Sequence, residues 1–152
     1  MKFKNIFIFV LLLAFLTNCG FVPIYKNSGN IDLNIIVNNL SGDRETYNLI
    51  KTSLKRYSYD QANSNVQIDI NTTYSKNILA KDSTGKTTDY QIIIKAIFNI
   101  EFEGTKKEIS FIETFDYKSL DKNFEEIQYE KTIKQNISNI ISRKLIDQIS
   151  RF

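Results

Sequence analysis

Tyr90-Gln91-Ile92-Ile93-Ile94-Lys95-Ala96-Ile97-Phe98-Asn99-Ile100-Glu101-Phe102 is the stretch that decides the fold. Tyr90, Ile92, Ile94, Ala96, Phe98, Ile100 and Phe102 fall on every second position, alternating with Gln91, Ile93, Lys95, Ile97, Asn99 and Glu101. Side chains of a strand point to alternate faces, so this period of two describes a long strand with one face buried.

Downstream, Ile109, Phe111, Phe115 and Tyr117 share one face of a second strand, opposite Ser110, Thr114 and Asp116. Glu113 falls on the apolar side, as expected near an edge or bulge. Gly104-Thr105, followed by lysines, predicts a tight hairpin between these strands. Upstream, Val66, Ile68, Ile70, Thr72 and Tyr74 alternate with Gln67, Asp69, Asn71 and Thr73, and Asp82-Ser83-Thr84-Gly85 supplies a turn. Clean alternation in short-looped strands predicts antiparallel pairing with one covered face. Earlier still, Ile31, Leu33, Ile35 and Val37 form a strand that Asn38 to Gly42 ends.

Two helices supply the cover. Tyr47, Ile50, Leu54 and Tyr57 recur at helical spacing with Leu49 beside them, which predicts an amphipathic helix from Asp43 to about Tyr57. Ser41 or Asp43 caps it, and Lys55 and Arg56 stand in its last turn, where the dipole favours cations. In the final thirty residues Ile127, Ile133, Ile137, Ile140, Ile141 and Ile149, widened by Leu145 and Ile146, trace a second stripe. Asp121 or Asn123 caps that helix, with Glu125 and Glu126 in its first turn. From 124 to 150 it reaches roughly 40 Å at ~1.5 Å per residue, enough to cross the sheet. The order strand, helix, three strands, helix gives an α+β fold. It is a two-layer sandwich with a four-stranded, mostly antiparallel sheet and both helices on one face. The helix between the first two strands serves as a crossover, so the first strand is expected beside the second-last.

Composition narrows the chemistry. The chain has 152 residues, no His, no Trp and one Cys, with 5 Gly and 1 Pro. No intramolecular disulfide, Cys/His zinc site or His-dependent catalysis is available. No cofactor is expected, and a carboxylate-only enzyme is the surviving catalytic class.

The start of the chain reads as a targeting segment. Met1-Lys2-Phe3-Lys4-Asn5 is positive, and Ile6 to Leu16 is an unbroken apolar run. That run spans roughly 16 Å, against a hydrocarbon core of ~30 Å, so it reads as a signal peptide over 1–18 rather than a single-pass anchor. Loss of Lys2 and Lys4 lowers the net charge from +3 to about +1, which argues against a nucleic-acid partner. Cys19 follows at Leu16-Thr17-Asn18-Cys19, which resembles a bacterial lipobox, although Asn18 stands where a small residue is usual. The resemblance implies acylation of Cys19. The segment after it, with Pro23 and the turn residues Asn27-Ser28-Gly29-Asn30, reads as a tether over 19–30, and with no repeat the remainder reads as a single domain over 31–152. Gly20 follows the Cys rather than the Asp of many inner-membrane lipoproteins, which favours the outer membrane.

Cys19-Gly20-Phe21-Val22-Pro23-Ile24-Tyr25 resembles the Cys-Gly-Phe-x-Pro-Leu-Tyr opening of the LptE family of lipopolysaccharide-assembly lipoproteins, in its alphaproteobacterial form. Leu120-Asp121-Lys122-Asn123-Phe124-Glu125 and the ending Leu145-Ile146-Asp147-Gln148-Ile149 also look like that family, as does the layout of the strands and helices. Ile24 and Lys26 depart from its pattern. The resemblance implies a four-stranded sheet with two helices, docking as a plug in an LptD-like outer-membrane β-barrel, and contact with lipopolysaccharide. A plug needs a polar surface, and the outward positions Gln67, Asp69, Asn71, Gln91, Asn99 and Thr114 are hydrogen-bonding rather than strongly charged.

Lipid A phosphates call for cations. Two loop clusters supply them: Lys76, Lys81 and Lys86 around the first hairpin, and Lys106 and Lys107 at the second, with Tyr90 and Phe102 flanking. Ordinary solubilising lysines are the alternative at each. A non-enzymatic lipoprotein is the expectation. A subunit of another envelope lipid-transport complex is the second reading. A glycan hydrolase is the third, using Glu125/Glu126, Glu101/Glu103 or Asp116/Asp121.

Overall fold

The alternating stretch 90–102 becomes one of the two inner strands of a four-stranded sheet in a computed structural model that describes residues 33–151. The signal segment 1–18, Cys19 and the tether 19–30 lie outside the described residues. The elements are β1 (Leu33–Gly42), α1 (Arg44–Leu54), β2 (Ser64–Lys81), β3 (Thr87–Phe102), β4 (Thr105–Lys118) and α2 (Asn123–Ile149). This is the expected α+β sandwich in the expected order.

The sheet runs β1-β2-β3-β4, with β1 parallel to β2 and the other two pairings antiparallel. The first strand therefore lies beside the second strand, not the second-last. Hairpin neighbours occupy both sides of β3, and residues 43–63 are long enough to carry the chain back for a parallel pairing.

The β3–β4 connection is a two-residue turn in which Glu103 (φ 48°) and Gly104 (φ 77°) both adopt positive φ. That is the type I′ geometry, whose twist matches that of the flanking strands. The β2–β3 turn is organised by Asp82, whose Oδ1 accepts from the backbone N–H of Thr84 (2.8 Å) and Lys86 (3.0 Å). β2 runs on past Tyr74 to Lys81, because backbone pairing with β3 persists after the apolar alternation stops.

Asn38 to Gly42 does not break β1. The strand passes through an irregularity between Val37 and Leu40 and resumes. Asn38 donates to Gln67 (2.8 Å), and the Asn39 side chain donates to Asp69 (2.9 Å), so the extra backbone stays tied to β2. Gly42 ends the strand at φ 89°, where a Cβ would lie 1.8 Å from the Thr72 carbonyl oxygen, so only glycine fits.

Asp43 caps α1, accepting from the Thr46 N–H at 2.9 Å. The helix stops at Leu54, short of Tyr57, which is 38% exposed. Tyr57 N–H turns back to the Leu54 carbonyl, and Tyr59 N–H donates to the Leu33 carbonyl, which diverts the chain onto β1. In α2 the cap position falls on Lys122, without a side-chain bond, rather than on Asp121 or Asn123. Asp121 is held instead by Lys86 at 3.0 Å. Glu126 reaches back from the first turn to accept from Ser119 Oγ (3.0 Å) and Leu120 N–H (3.2 Å).

The core joins Val66, Ile68 and Ile70 of β2 and Ile92, Ile94, Ala96, Phe98 and Ile100 of β3 to Ile50 and Leu54 of α1. From α2 come Ile133, Ile137, Ile141, Leu145, Ile146 and Ile149. Ile127 is 55% exposed, so the buried stripe starts two turns later than its spacing predicts. The reason is that α1 begins level with Lys134, and the turns of α2 before it have no helical neighbour.

Candidate functional site

Among the described residues nothing covers the second face of the sheet. Gln67, Asp69, Asn71, Gln91, Asn99 and Thr114 all lie on it, together with Asn38, Thr73, Ser75 and Ser110. Ile93 and Ile97 flank the exposed Lys95 on β3, and Ile112, 61% exposed, stands opposite Lys95 on the edge strand β4. Some of the charged groups there are answered within the chain, while Lys95 and Glu108 stand exposed on the same face. Asp69 accepts from Asn39, Asp116 from Gln91 (2.9 Å), and Glu101 faces Lys106 (3.5 Å). The result is a broad surface of amides, hydroxyls and interspersed charges of both signs, with a shallow groove of about 340 Å³ between Asn38, Asp69, Asn99 and Lys106.

The covered face carries a different assembly beneath the first half of α2. Lys76 Nζ donates to Glu126 Oε1 (2.8 Å) and Glu130 Oε2 (3.2 Å), and lies 4.1 Å from the Tyr90 ring centroid. Tyr74 donates its hydroxyl proton to Glu130 (2.5 Å). Lys134 joins Glu130 (3.4 Å) to Glu45 of α1 (2.8 Å) and sits 3.9 Å over the Tyr74 ring. Tyr117 packs on Tyr90 and Tyr129 at centroid distances of 5.5 Å and 5.6 Å.

Electrostatics lock these groups in their ordinary charge states. The Lys76 hydrogen bond holds the Glu126 carboxyl below the usual range, although burial opposes it. Burial would raise Glu130, but bonds from Tyr74 and Lys76 outweigh it and lower that group too. Burial works against the charge on Lys76, and its bonds to Glu126, Tyr117 and Glu130 more than offset this and raise its pKa. Burial and the Glu130 bond push the Tyr74 phenol up. None of these groups is moved toward neutral pH, so the cluster acts as a clamp rather than a proton relay.

Sequence reasoning treated Lys76 as a loop cation and missed the clamp. The available signal was parity: Lys76 follows Val66 to Tyr74 on the inward-facing positions. Lys134, directly after Ile133, is 8% exposed and was legible only once α1 was placed.

The other lysines separate. Lys81 and Lys86 stand at the β2–β3 hairpin, at the end of the sheet where α2 begins. Lys106 and Lys107 stand at the opposite end, beside the β3–β4 turn. As successive strand residues, Lys106 and Lys107 point to opposite faces. Lys86 is held by Asp121, and burial-free hydrogen bonding there raises its pKa. Exposed Ile78 and Leu79 adjoin Lys81, and exposed Leu120 and Phe124 stand at the start of α2 on the same end.

The acidic pairs are largely engaged elsewhere. Glu125 is bound by Lys122 (2.7 Å), Glu126 by Lys76, Glu101 by Lys106 and Asp121 by Lys86. Among the described residues no group of acids forms a metal-binding set, and no helix is long and apolar enough to cross a membrane.

No family model and no curated sequence matches the chain. Solved structures match in fold. The crystal structure of rare lipoprotein B from Shewanella oneidensis aligns with a TM-score of 0.59 at 14% identity, covering 78% of this chain and 95% of that one. The crystal structure of a protein from Caulobacter crescentus, classed as a lipoprotein, aligns at 0.56 and 12% identity, covering 82% and 91%. At these identities the likeness is one of fold.

Proposed function

We propose that this chain is an LptE-type lipoprotein of the outer membrane, acylated at Cys19. It partners an LptD-like β-barrel as its plug and supports insertion of lipopolysaccharide into the outer leaflet. One coincidence carries the reading. The Cys19-Gly20-Phe21-Val22-Pro23 opening precedes a domain that shares its fold with nearly the whole of rare lipoprotein B.

Each acyl CH₂ buried in the bilayer contributes about 0.8 kcal/mol, so two or three chains on Cys19 give a firm anchor. The open sheet face suits a polar barrel lumen, since its amides, hydroxyls and charges of both signs can exchange hydrogen bonds with polar lining and water. Direct contact with lipopolysaccharide falls to the end bearing Lys81 and Lys86. Lys81 and Lys86, cations of the kind that bind phosphate, stand there beside exposed Ile78 and Leu79, the combination that an amphiphile with phosphates and acyl chains requires. The chain has no catalytic role in this reading.

The test is purification of the C-terminally tagged chain from membranes in mild detergent. A stoichiometric large β-barrel is the expected companion. A chain that emerges alone, or with an inner-membrane transporter, rejects the plug and favours the second envelope-transport reading. Cys19→Ala should release the protein from membranes. Lys81→Glu with Lys86→Glu should weaken lipopolysaccharide capture, whereas Lys106→Glu with Lys107→Glu should not.

A further inference from the structure

We infer that the outer edge of β4 is a self-pairing surface. Two copies of the chain join β4 to β4 in antiparallel, about a two-fold axis perpendicular to the sheet, to make one continuous sheet.

The two edges of this sheet differ. β1 has 10 residues and a register shift. β4 has 14 residues, and its pairing with β3 is unbroken from Asp89↔Lys118 to Phe102↔Thr105. It contains no proline and no bulge, and among the described residues nothing pairs with its outer side. A long, regular edge of this kind is a template for another strand unless something blocks it.

The turn fixes which residues offer that template. In a two-residue hairpin the flanking pair, here Phe102 and Thr105, is hydrogen-bonded. Alternate β4 residues therefore direct their backbone groups at β3, and those between, Lys106, Glu108, Ser110, Ile112, Thr114 and Asp116, direct theirs outward. All six are exposed, and their side chains share the open face.

Charge then selects the occupant and the register. Antiparallel pairing centred on Phe111 sets Lys106 opposite Asp116 of the second copy, and by symmetry does so twice. It also sets Glu108 opposite Thr114 and Ser110 opposite Ile112, which covers the apolar side chain that is 61% exposed. A slide of two residues one way places Lys106 on Lys118 and Glu108 on Asp116, like on like. A slide the other way sets Glu108 against Ile112 and Lys106 against Thr114, so that Lys106 keeps only Glu101 of its own chain. Opposite charges across strands stabilise and like charges destabilise, so one register stands out. The edge thus complements itself.

The experiment measures the association state of the full chain in detergent micelles by analytical ultracentrifugation, over micromolar to about 100 µM concentrations. A concentration-dependent dimer is expected. Lys106→Asp alone and Asp116→Lys alone should each weaken it at least about tenfold, and the two together should restore it. Ile112→Pro should abolish it while circular dichroism stays unchanged, because the N–H it removes points outward. Ile112→Lys, which leaves the backbone intact, should weaken it. A chain that stays monomeric throughout, or a dimer that none of these variants alters, overturns the proposal. A Lys106→Cys/Asp116→Cys variant should crosslink to itself; crosslinking only to a different protein overturns the choice of occupant. The pairing is a state of the chain outside any barrel, so these outcomes are read on barrel-free protein and stand or fall apart from the plug reading.

Discussion

Over the half of the sheet nearest the β3–β4 turn, two helices meet the strands through aliphatic side chains. Over the other half, one helix meets them through lysines, tyrosines and carboxylates grouped around the buried Ile92. The strands do not change their alternation between the halves; Lys76 keeps the parity of Val66. What changes is shelter. Where both helices cover the sheet, inward positions are dry, and Ile50, Ile68, Ile94, Phe98 and Leu145 are fully buried. Where α1 is missing, inward positions are sheltered on one side only. The residues there have an apolar body and a polar tip, and they answer one another's charges. A half-covered face is thus closed by ionic and aromatic contacts that an aliphatic core does not need.

The largest effect that tests this contrast is loss of packing in the dry half. Phe98→Ala should cost about 4 kcal/mol in urea unfolding, through transfer and cavity terms. Lys76→Ala should cost less, about 2 kcal/mol, by leaving Glu126 and Glu130 without their shared cation. Lys76→Met should cost less again. If Lys76→Ala matched Phe98→Ala, the two halves would be energetically alike and the contrast would fail.

Acid should sharpen the difference. The carboxyls of Glu126 and Glu130 sit below their ordinary value of 4.5 in the folded chain, so they contribute stability above that pH. That contribution is lost as pH falls through their lowered values. Lys76 and Lys134 are raised from 10.5, and their contribution holds below that pH and is lost only above it. Melting temperature should therefore be flat from about pH 6 to 9 with respect to this cluster and fall below about 4.5. Glu130→Gln should flatten part of the acid slope, and Phe98→Ala should leave the slope unchanged. The smallest effect belongs to the exposed first turns of α2. Phe124→Ser, at a residue 72% exposed, should change stability by no more than about 0.5 kcal/mol.

Alternation made the sheet legible because burial on β2 and β3 is decided by parity alone. Val66, Ile68, Ile70, Ile92, Ile94 and Phe98 are all buried, as their parity predicts. The errors came where burial depends on a second element. Ile127 and Tyr57 fit a helical stripe, but their exposure is set by where α1 begins and ends, which no local pattern encodes. Asn38 and Asn39 look like a turn until Gln67 and Asp69 are seen across the pairing. Two lysine loops are nearby in sequence, but an antiparallel meander necessarily puts successive hairpins at opposite ends. The partner of β1 escaped for a similar reason, since pairing order is a property of the whole sheet. The open face is legible as six polar residues, but not as one surface that also carries Lys95 and, opposite it on the edge strand, Ile112.

The parallel pairing of β1 with β2 also orders events in time. β2, β3 and β4 meet their neighbours across short turns, and those contacts close small loops. β1 meets β2 only between residues about thirty apart, as in Asn34 with Asn65 and Asn39 with Asp69, after α1 has formed between them. Loop closure over that distance costs more entropy, so the pairing is slow to form and early to open. Of the described strands β1 is the first to be synthesised and the last to be secured. Its amides should exchange with solvent ahead of those of β3.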